Sequence, residues 1–166
     1  MQPKKSLFTS FFLVFSIAVF LCSFSLSAQT DSLQGKSYEE LIQLYSNNLY
    51  SNSSNAKTYA TKAYEIAQNE NDIAFAKYSI ARVKYSLTNY TESLNDLKEV
   101  IEIATKIKNK ELLFKSYNLK GNNLCDLKRD IEGLDAYTKA KEYAKSTKNP
   151  INPITVSINI ALVKKV

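Results

Sequence analysis

Apolar side chains recur every three or four positions along most of the chain from residue 37 onward. This spacing places them on one face of an α-helix, and short clusters of Asn, Ser and Thr interrupt it as turns would. The pattern therefore predicts an all-α fold class. The predicted helices cover residues 37–50, 55–68, 72–87, 90–107, 110–127, 130–147 and 153–166.

Polar residues at three of the predicted helix starts fit helix capping. Ser37 is followed three positions later by Glu40, which is the spacing of a capping box. Asn89 has the same spacing to Glu92. Asn152 precedes a proline, and proline is favoured at the first position of a helix. Ser37, Asn89 and Asn152 are therefore predicted to be N-caps.

The sequence repeats itself with a period of about 40 residues. Similar segments lie at residues 63–67, 100–104 and 140–144, and a second set lies at 79–81, 119–121 and 159–161. A fixed period of roughly 20 to 50 residues with helical spacing predicts an α-solenoid of helix pairs. The predicted repeat domain is 37–166, with units of about 37–69, 71–108 and 110–148 and a partial unit at 153–166.

Small and aromatic residues recur at fixed places within the units. The third unit carries the fullest set, which is Tyr117, Gly121, Leu124, Gly133, Tyr137 and Ala140. The second unit has Ala81 and Ser93 at the two glycine positions, and we expect these small residues to let the helices of a pair cross closely.

This pattern resembles the tetratricopeptide repeat. HEAT and armadillo repeats have a similar length, but the small-residue pattern and the short turns favour the tetratricopeptide family. The resemblance implies a right-handed α-solenoid of about three and a half helix pairs, in which the first helix of each pair lines the concave side.

The first 28 residues have the order of a secretory signal peptide. Lys4 and Lys5 precede a long uncharged apolar run, which ends in small residues before Gln29. We expect cleavage, a short linker at 29–36, and export to the periplasm. An uncleaved anchor in the inner membrane is the alternative, because the run is long enough to span a bilayer.

Charge and composition exclude several classes of function. The full chain has a net charge of +6, and without Lys4 and Lys5 it has 20 basic and 16 acidic side chains, scattered among one another. A surface of mixed sign argues against nucleic-acid binding. There is no histidine, and the chain has no phosphate loop or metal-ligand motif. The sequence therefore predicts no enzyme activity, no catalytic residue, no cofactor and no bound metal.

What remains is a binding surface for a protein or peptide ligand, with positions implied by the tetratricopeptide resemblance. The implied concave residues are Tyr38, Tyr45, Tyr78, Arg82, Tyr85, Lys115, Asn118 and Asn122, with Leu41, Phe75 and Cys125 beside them. Tyr and Arg often anchor partner segments, and Asn can pair with a bound backbone. Packing of the tyrosines between units is the alternative. The family's clamp for a terminal carboxylate needs a Lys and an Asn one turn apart, and this chain has Asn118 and Asn122 at that spacing instead, so the resemblance does not carry the clamp over.

Three segments also resemble the exported repeat region of bacterial AraC-type transcriptional regulators: 35–41, 119–122 and 157–164. Such regulators join a tetratricopeptide sensor to a membrane helix and a helix-turn-helix module, so the resemblance implies a sensory module in the front part of a longer protein. A stand-alone secreted scaffold and the sensor region of a histidine kinase are the alternatives. The helix at 153–166 is expected to lack a cover, and therefore to fray or to self-associate.

Overall fold

The regular apolar spacing produces helices throughout the part of the chain that the structure describes. A computed structural model describes residues 33–164. This part of the chain is all-α, without a strand. The seven helices are α1 (Tyr38–Asn48), α2 (Ser53–Ile66), α3 (Glu70–Ser86), α4 (Tyr90–Lys106), α5 (Lys110–Asp126), α6 (Asp130–Ala144) and α7 (Asn152–Val163).

The chain divides after Lys36, and the second unit, Ser37–Val166, contains all seven helices. The predicted signal segment 1–28 and the first part of the predicted linker lie outside the described residues. Among residues 33–164, no helix combines the length and the apolar character that crossing a membrane requires.

The helix ends confirm the Ser37 cap, confirm the position of Asn89 without its side-chain hydrogen bond, and correct the prediction for Asn152. The Ser37 hydroxyl accepts from the backbone of Glu40 at 3.2 Å, and the Glu40 carboxylate accepts from the Ser37 backbone at 2.7 Å, so this capping box is formed. Asn89 occupies the predicted N-cap position of α4, but its side chain makes no capping hydrogen bond, and its ψ of 62° departs from the extended backbone that usually directs a capping side chain. Asn152 lies inside α7 and donates to Thr147, while Ile151 occupies the N-cap position.

The second helix of the first unit ends earlier than predicted, and α3 begins earlier. Ala67 has an extended backbone, so α2 ends at Ile66 and not at residue 68. The Asn69 side chain accepts from the backbone of Asp72 at 3.0 Å. This cap allows α3 to start at Glu70, two residues before the predicted start.

One turn geometry recurs at intervals of 20 residues, after α3, α4 and α5. Thr88, Lys108 and Lys128 have φ of 61°, 55° and 61°. In each turn the residue after the one with positive φ donates its backbone N–H to the carbonyl five residues before it, as Asn89 does to Lys84 at 2.9 Å. This is a Schellman motif, which ends one helix and starts the next within two or three residues. Along α3 to α6, the sequence period of 40 therefore corresponds to two helices and two similar turns.

Each helix packs mainly on its neighbours in the sequence, with a weaker contact between α3 and α5. The buried apolar residues form three clusters, and every cluster contains residues from three consecutive helices. The first joins α1 and α2 to α3, the second joins α3 and α4 to α5, and the third joins α5 and α6 to α7. The fold is thus repeat-like: each pair of helices is joined by apolar contacts to the first helix of the next pair.

Small residues stand where the helices of a pair cross. A Cβ added to Gly121 would lie 2.5 Å from the Tyr137 ring, and one added to Gly133 would lie 2.4 Å from Cys125 Sγ. In the preceding pair, the Ser93 hydroxyl donates to the Ala81 carbonyl at 2.9 Å. The predicted close crossings are therefore present between α3 and α4 and between α5 and α6.

The last helix buries only part of its apolar surface. Val156 is fully buried against α5 and α6. The exposed side is a row of residues at helical spacing, Ile151, Ile154, Ile158 and Leu162, each between 54% and 61% exposed. Among the residues that the structure describes, nothing covers this row.

Candidate functional site

A groove of about 330 Å³ crosses the face formed by α3 and α5. We call it the central groove. Its lining comes from the two residues directly after α1, from α3 and from α5, and α2, α4 and α6 contribute no residue to it. The lining residues are Leu49, Tyr50, Tyr78, Arg82, Tyr85, Ser86, Phe114, Lys115, Asn118, Leu119 and Asn122.

Helical spacing explains why these side chains meet. On α3, Arg82 and Tyr85 follow Tyr78 by four and seven positions, so all three share one face of the helix. On α5, Asn118 and Asn122 follow Lys115 by three and seven positions, so these three side chains also share one face. Because α3 and α5 are the first helices of successive pairs, their corresponding faces line the same groove.

Arg82 stands among tyrosines. Its guanidinium donates to the Tyr50 hydroxyl at 2.6 Å. The guanidinium carbon lies 5.9 Å from the Tyr50 ring centre and 6.0 Å from the Tyr78 ring centre, within range of a cation–π interaction. Both rings therefore hold the guanidinium in place without neutralising it.

The α5 residues are also held by their neighbours. The Asn122 side-chain oxygen accepts from the Tyr137 hydroxyl at 2.7 Å, and the Asn118 side-chain oxygen accepts from Asn159 at 3.0 Å. Lys115 Nζ lies 3.4 Å from a Glu111 carboxylate oxygen and 5.5 Å from the centre of the Phe75 ring. These contacts fix the side chains that a ligand in the groove would meet.

The two groove tyrosines on α3 are neutral over the physiological pH range. Burial raises the pKa of Tyr78 above its usual value. Burial also raises the pKa of Tyr85, and the neighbouring Asp126 carboxylate adds to that rise. The two phenols therefore offer the groove aromatic surface and no negative charge.

Six of the eight candidate residues line the groove and two lie elsewhere. Tyr38 is half-buried, and its hydroxyl donates to the Asp72 carbonyl at 3.0 Å, so it connects α1 to α3. Tyr45 is buried in the cluster that joins α1, α2 and α3. Its hydroxyl lies near Ser79 and Arg82 without a hydrogen bond of normal geometry, and burial raises its pKa. For these two tyrosines, packing between units describes the structure better than lining a binding surface does.

The three residues expected beside the concave positions also lie outside the groove lining. Cys125 packs against Gly133 at the crossing of α5 and α6, where burial raises the pKa of its thiol. Leu41 is fully buried, and Phe75 packs on the cluster that joins α3, α4 and α5.

The sequence reasoning missed five lining residues. Leu49 and Ser86 lie four positions beyond Tyr45 and Arg82, so extending each row by one helical turn would have found them. Phe114 and Leu119 flank the chosen positions Lys115 and Asn118, and the repeat resemblance did not select them. Tyr50 lies past the end of α1, where helical spacing gives no guidance.

A second groove of about 210 Å³ lies between α5 and α6. Lys120 and Lys139 face Glu132 and Asp135 there, so the lining carries both signs of charge. Within residues 33–164, no three side chains of the metal-binding types His, Cys, Asp and Glu come together. The chemistry that the central groove offers is that of binding, through aromatic faces, amides and two cations.

No family model, no curated protein and no solved structure matches this chain.

Proposed function

We propose that residues 37–166 form a tetratricopeptide-like α-solenoid that binds a peptide, or an extended segment of a partner protein, in the central groove. The observation that carries the proposal is that, among the described residues, the helices that line the groove are the first helices α3 and α5, which contribute six residues that the repeat resemblance selected in advance. In a solenoid of helix pairs, the corresponding faces of successive first helices form one continuous binding surface.

The packing supports the solenoid part of the proposal. Three core clusters follow one another along the chain, three similar turns recur every 20 residues, and close crossings occur at corresponding positions of two pairs. Repetition of the same contacts between neighbours is what stabilises a solenoid.

The mixture of groups in the groove suits a peptide. Leu119 and Phe114 supply apolar surface, and Tyr50 and Tyr85 supply aromatic walls. Asn118 and Asn122 place amide groups beside them, which can pair with a peptide backbone. A groove with an apolar lining and a few polar groups that orient the ligand is the usual form of a binding site.

We further propose that the chain acts as an exported sensory module, as its resemblance to the repeat region of AraC-type regulators implies. The basic, apolar and small-residue order of the first 28 residues supports export. A secreted scaffold or a histidine-kinase sensor would use the same groove, so the binding experiment below applies to all three settings.

The proposal is tested by selecting ligands from a phage-displayed library of random twelve-residue peptides on the purified protein. Selected peptides are then measured by fluorescence anisotropy against Ser86→Trp, which puts a large ring into the groove from its exposed edge. We expect at least a tenfold loss of affinity.

The matched control is Lys98→Trp, which adds the same ring to an exposed position on α4, outside the groove. Its affinity should equal that of the unaltered protein. Equal affinities for all three proteins would show that the peptides bind elsewhere and would refute the proposal.

A further inference from the structure

The asparagine groups that remain free in the central groove are donors. Both asparagine side-chain oxygens are already occupied, by the Tyr137 hydroxyl and by Asn159. The side-chain nitrogens of Asn118 and Asn122 have no hydrogen-bond partner among the described residues. The arrangement therefore orients both amides with their N–H groups uncommitted.

The groove also carries a positive charge, at Arg82, that no described carboxylate neutralises. Among residues 33–164, no carboxylate lies within 4.0 Å of the Arg82 guanidinium, and one of its N–H groups donates to a neutral phenol. Lys115 is paired only loosely, with Glu111 at 3.4 Å. No Asp or Glu in the described part of the chain lines the groove, although Glu111 and Asp126 lie beside Lys115 and Tyr85. A ligand that supplies acceptors and negative charge would satisfy all of these groups.

The donors are spread along a line and are not gathered at a point. Lys115 and Asn122 are seven residues apart on α5, which is about 10 Å along a helix axis. An extended peptide covers that distance in about three residues. One terminal carboxylate could meet only part of this row, whereas acidic side chains at alternate positions of an extended segment point to the same face and could meet both ends.

We propose that the central groove selects acidic, extended peptide segments, with a side-chain carboxylate placed on Arg82 and a second acidic residue directed toward Lys115. The inference rests on the proposed peptide-binding function and names its ligand class. The apolar lining from Leu49, Phe114 and Leu119 favours segments in which acidic and apolar residues mix.

The test uses the full-length protein and three labelled eight-residue peptides with blocked ends, so that no terminal carboxylate is present. The first alternates glutamate with leucine, the second replaces each glutamate by glutamine, and the third replaces each glutamate by lysine. Binding of the peptides, and of inorganic phosphate, is measured for the unaltered protein and for Arg82→Gln, Arg82→Lys, Lys98→Gln and Ser86→Trp. Thermal melting is recorded for every variant.

We expect the glutamate peptide to bind at least tenfold more tightly than the glutamine peptide, and the lysine peptide to bind least. Arg82→Gln should bind the glutamate peptide at least tenfold more weakly, whereas Arg82→Lys should keep most of the affinity. The two variants should have the same melting temperature. Lys98→Gln should bind as the unaltered protein does. Added salt should weaken the binding of the glutamate peptide only, because salt screens the attraction between opposite charges.

Three results would overturn the inference, and they separate it from the proposed function. Equal binding of the glutamate and glutamine peptides, both lost in Ser86→Trp, would keep the groove as a peptide site and remove the acidic preference. Binding of inorganic phosphate at Arg82 without binding of any peptide would assign the site to another anion. Binding of no peptide from this set or from the random library would refute both proposals.

Discussion

At the scale of single residues, the contact of Gly121 with Tyr137 fixes how closely α5 and α6 approach. Because even a methyl group at Gly121 would lie 2.5 Å from the Tyr137 ring, Gly121→Leu must displace that ring or separate the helices. We expect a loss of about 1–3 kcal/mol in the free energy of unfolding, as for overpacked cores. Lys141→Leu, at an exposed position of α6, should change the free energy of unfolding by less than about 0.5 kcal/mol. Urea unfolding measures both, and equal losses would contradict the crossing.

The burial of four tyrosines leads to a second prediction at this scale, on how the free energy of unfolding changes at alkaline pH. Burial raises the folded-state pKa of Tyr38, Tyr78, Tyr85 and Tyr137 above the usual value of about 10. Above that pH the unfolded chain loses phenol protons that the folded chain keeps, so the free energy of unfolding falls as pH rises. Below it the contribution is fully present.

Chemical unfolding at pH 8, 10 and 11 measures this fall, and tyrosinate absorbance should rise together with unfolding. Tyr78→Phe removes one of the shifted groups and should lessen the fall between pH 10 and 11. Stability that stays constant up to pH 11 would contradict the burial of these phenols.

At the scale of elements, the turn after α3 places a β-branched residue in a left-handed conformation. Thr88 has φ of 61°, which costs an L-residue about 1–2 kcal/mol and a glycine nothing. Thr88→Gly should therefore raise the free energy of unfolding by about 1 kcal/mol, after allowance for the greater freedom of glycine in the unfolded chain. Thermal unfolding measures the change.

The matched control is Thr138→Gly, at an exposed position within α6, where the same substitution should lower stability because glycine is unfavourable in a helix. The two substitutions should thus have opposite signs. Destabilisation by both would mean that Thr88 is not in the left-handed region.

The exposed apolar row on α7 leads to a second prediction at the scale of elements. With Ile154, Ile158 and Leu162 in water, we expect α7 to fray in dilute solution and to pair with the same row of a second molecule at high concentration. Hydrogen exchange at two protein concentrations should show protection of α7 that rises with concentration. Ile158→Asp, at a 54% exposed position, should abolish that rise.

The same substitution on the buried side of α7 distinguishes the two faces. Val156→Asp places a charge at a fully buried position, and it should destabilise the helix at every concentration. Strong protection of α7 in a monomer at all concentrations would contradict the expectation.

At the scale of the whole molecule, the helices could be predicted from the sequence because their signal is local. The pattern of apolar and polar positions predicted the first residues of α4, α5 and α6 correctly. The Ser37 box predicted the first residue of α1 to within one position. Asn89 misled because a cap depends on backbone angles that residue type does not determine. Six groove residues could be chosen from repeat positions, whereas Tyr50 could not, since it follows the end of α1.

The central claim is that successive first helices form one peptide-binding face. The most direct measurement is an assigned amide NMR spectrum of the protein, recorded with and without a saturating peptide selected from the random library. We predict that the largest shift changes fall on the residues directly after α1 and on the groove faces of α3 and α5. Changes confined to α2, α4 and α6 would contradict it.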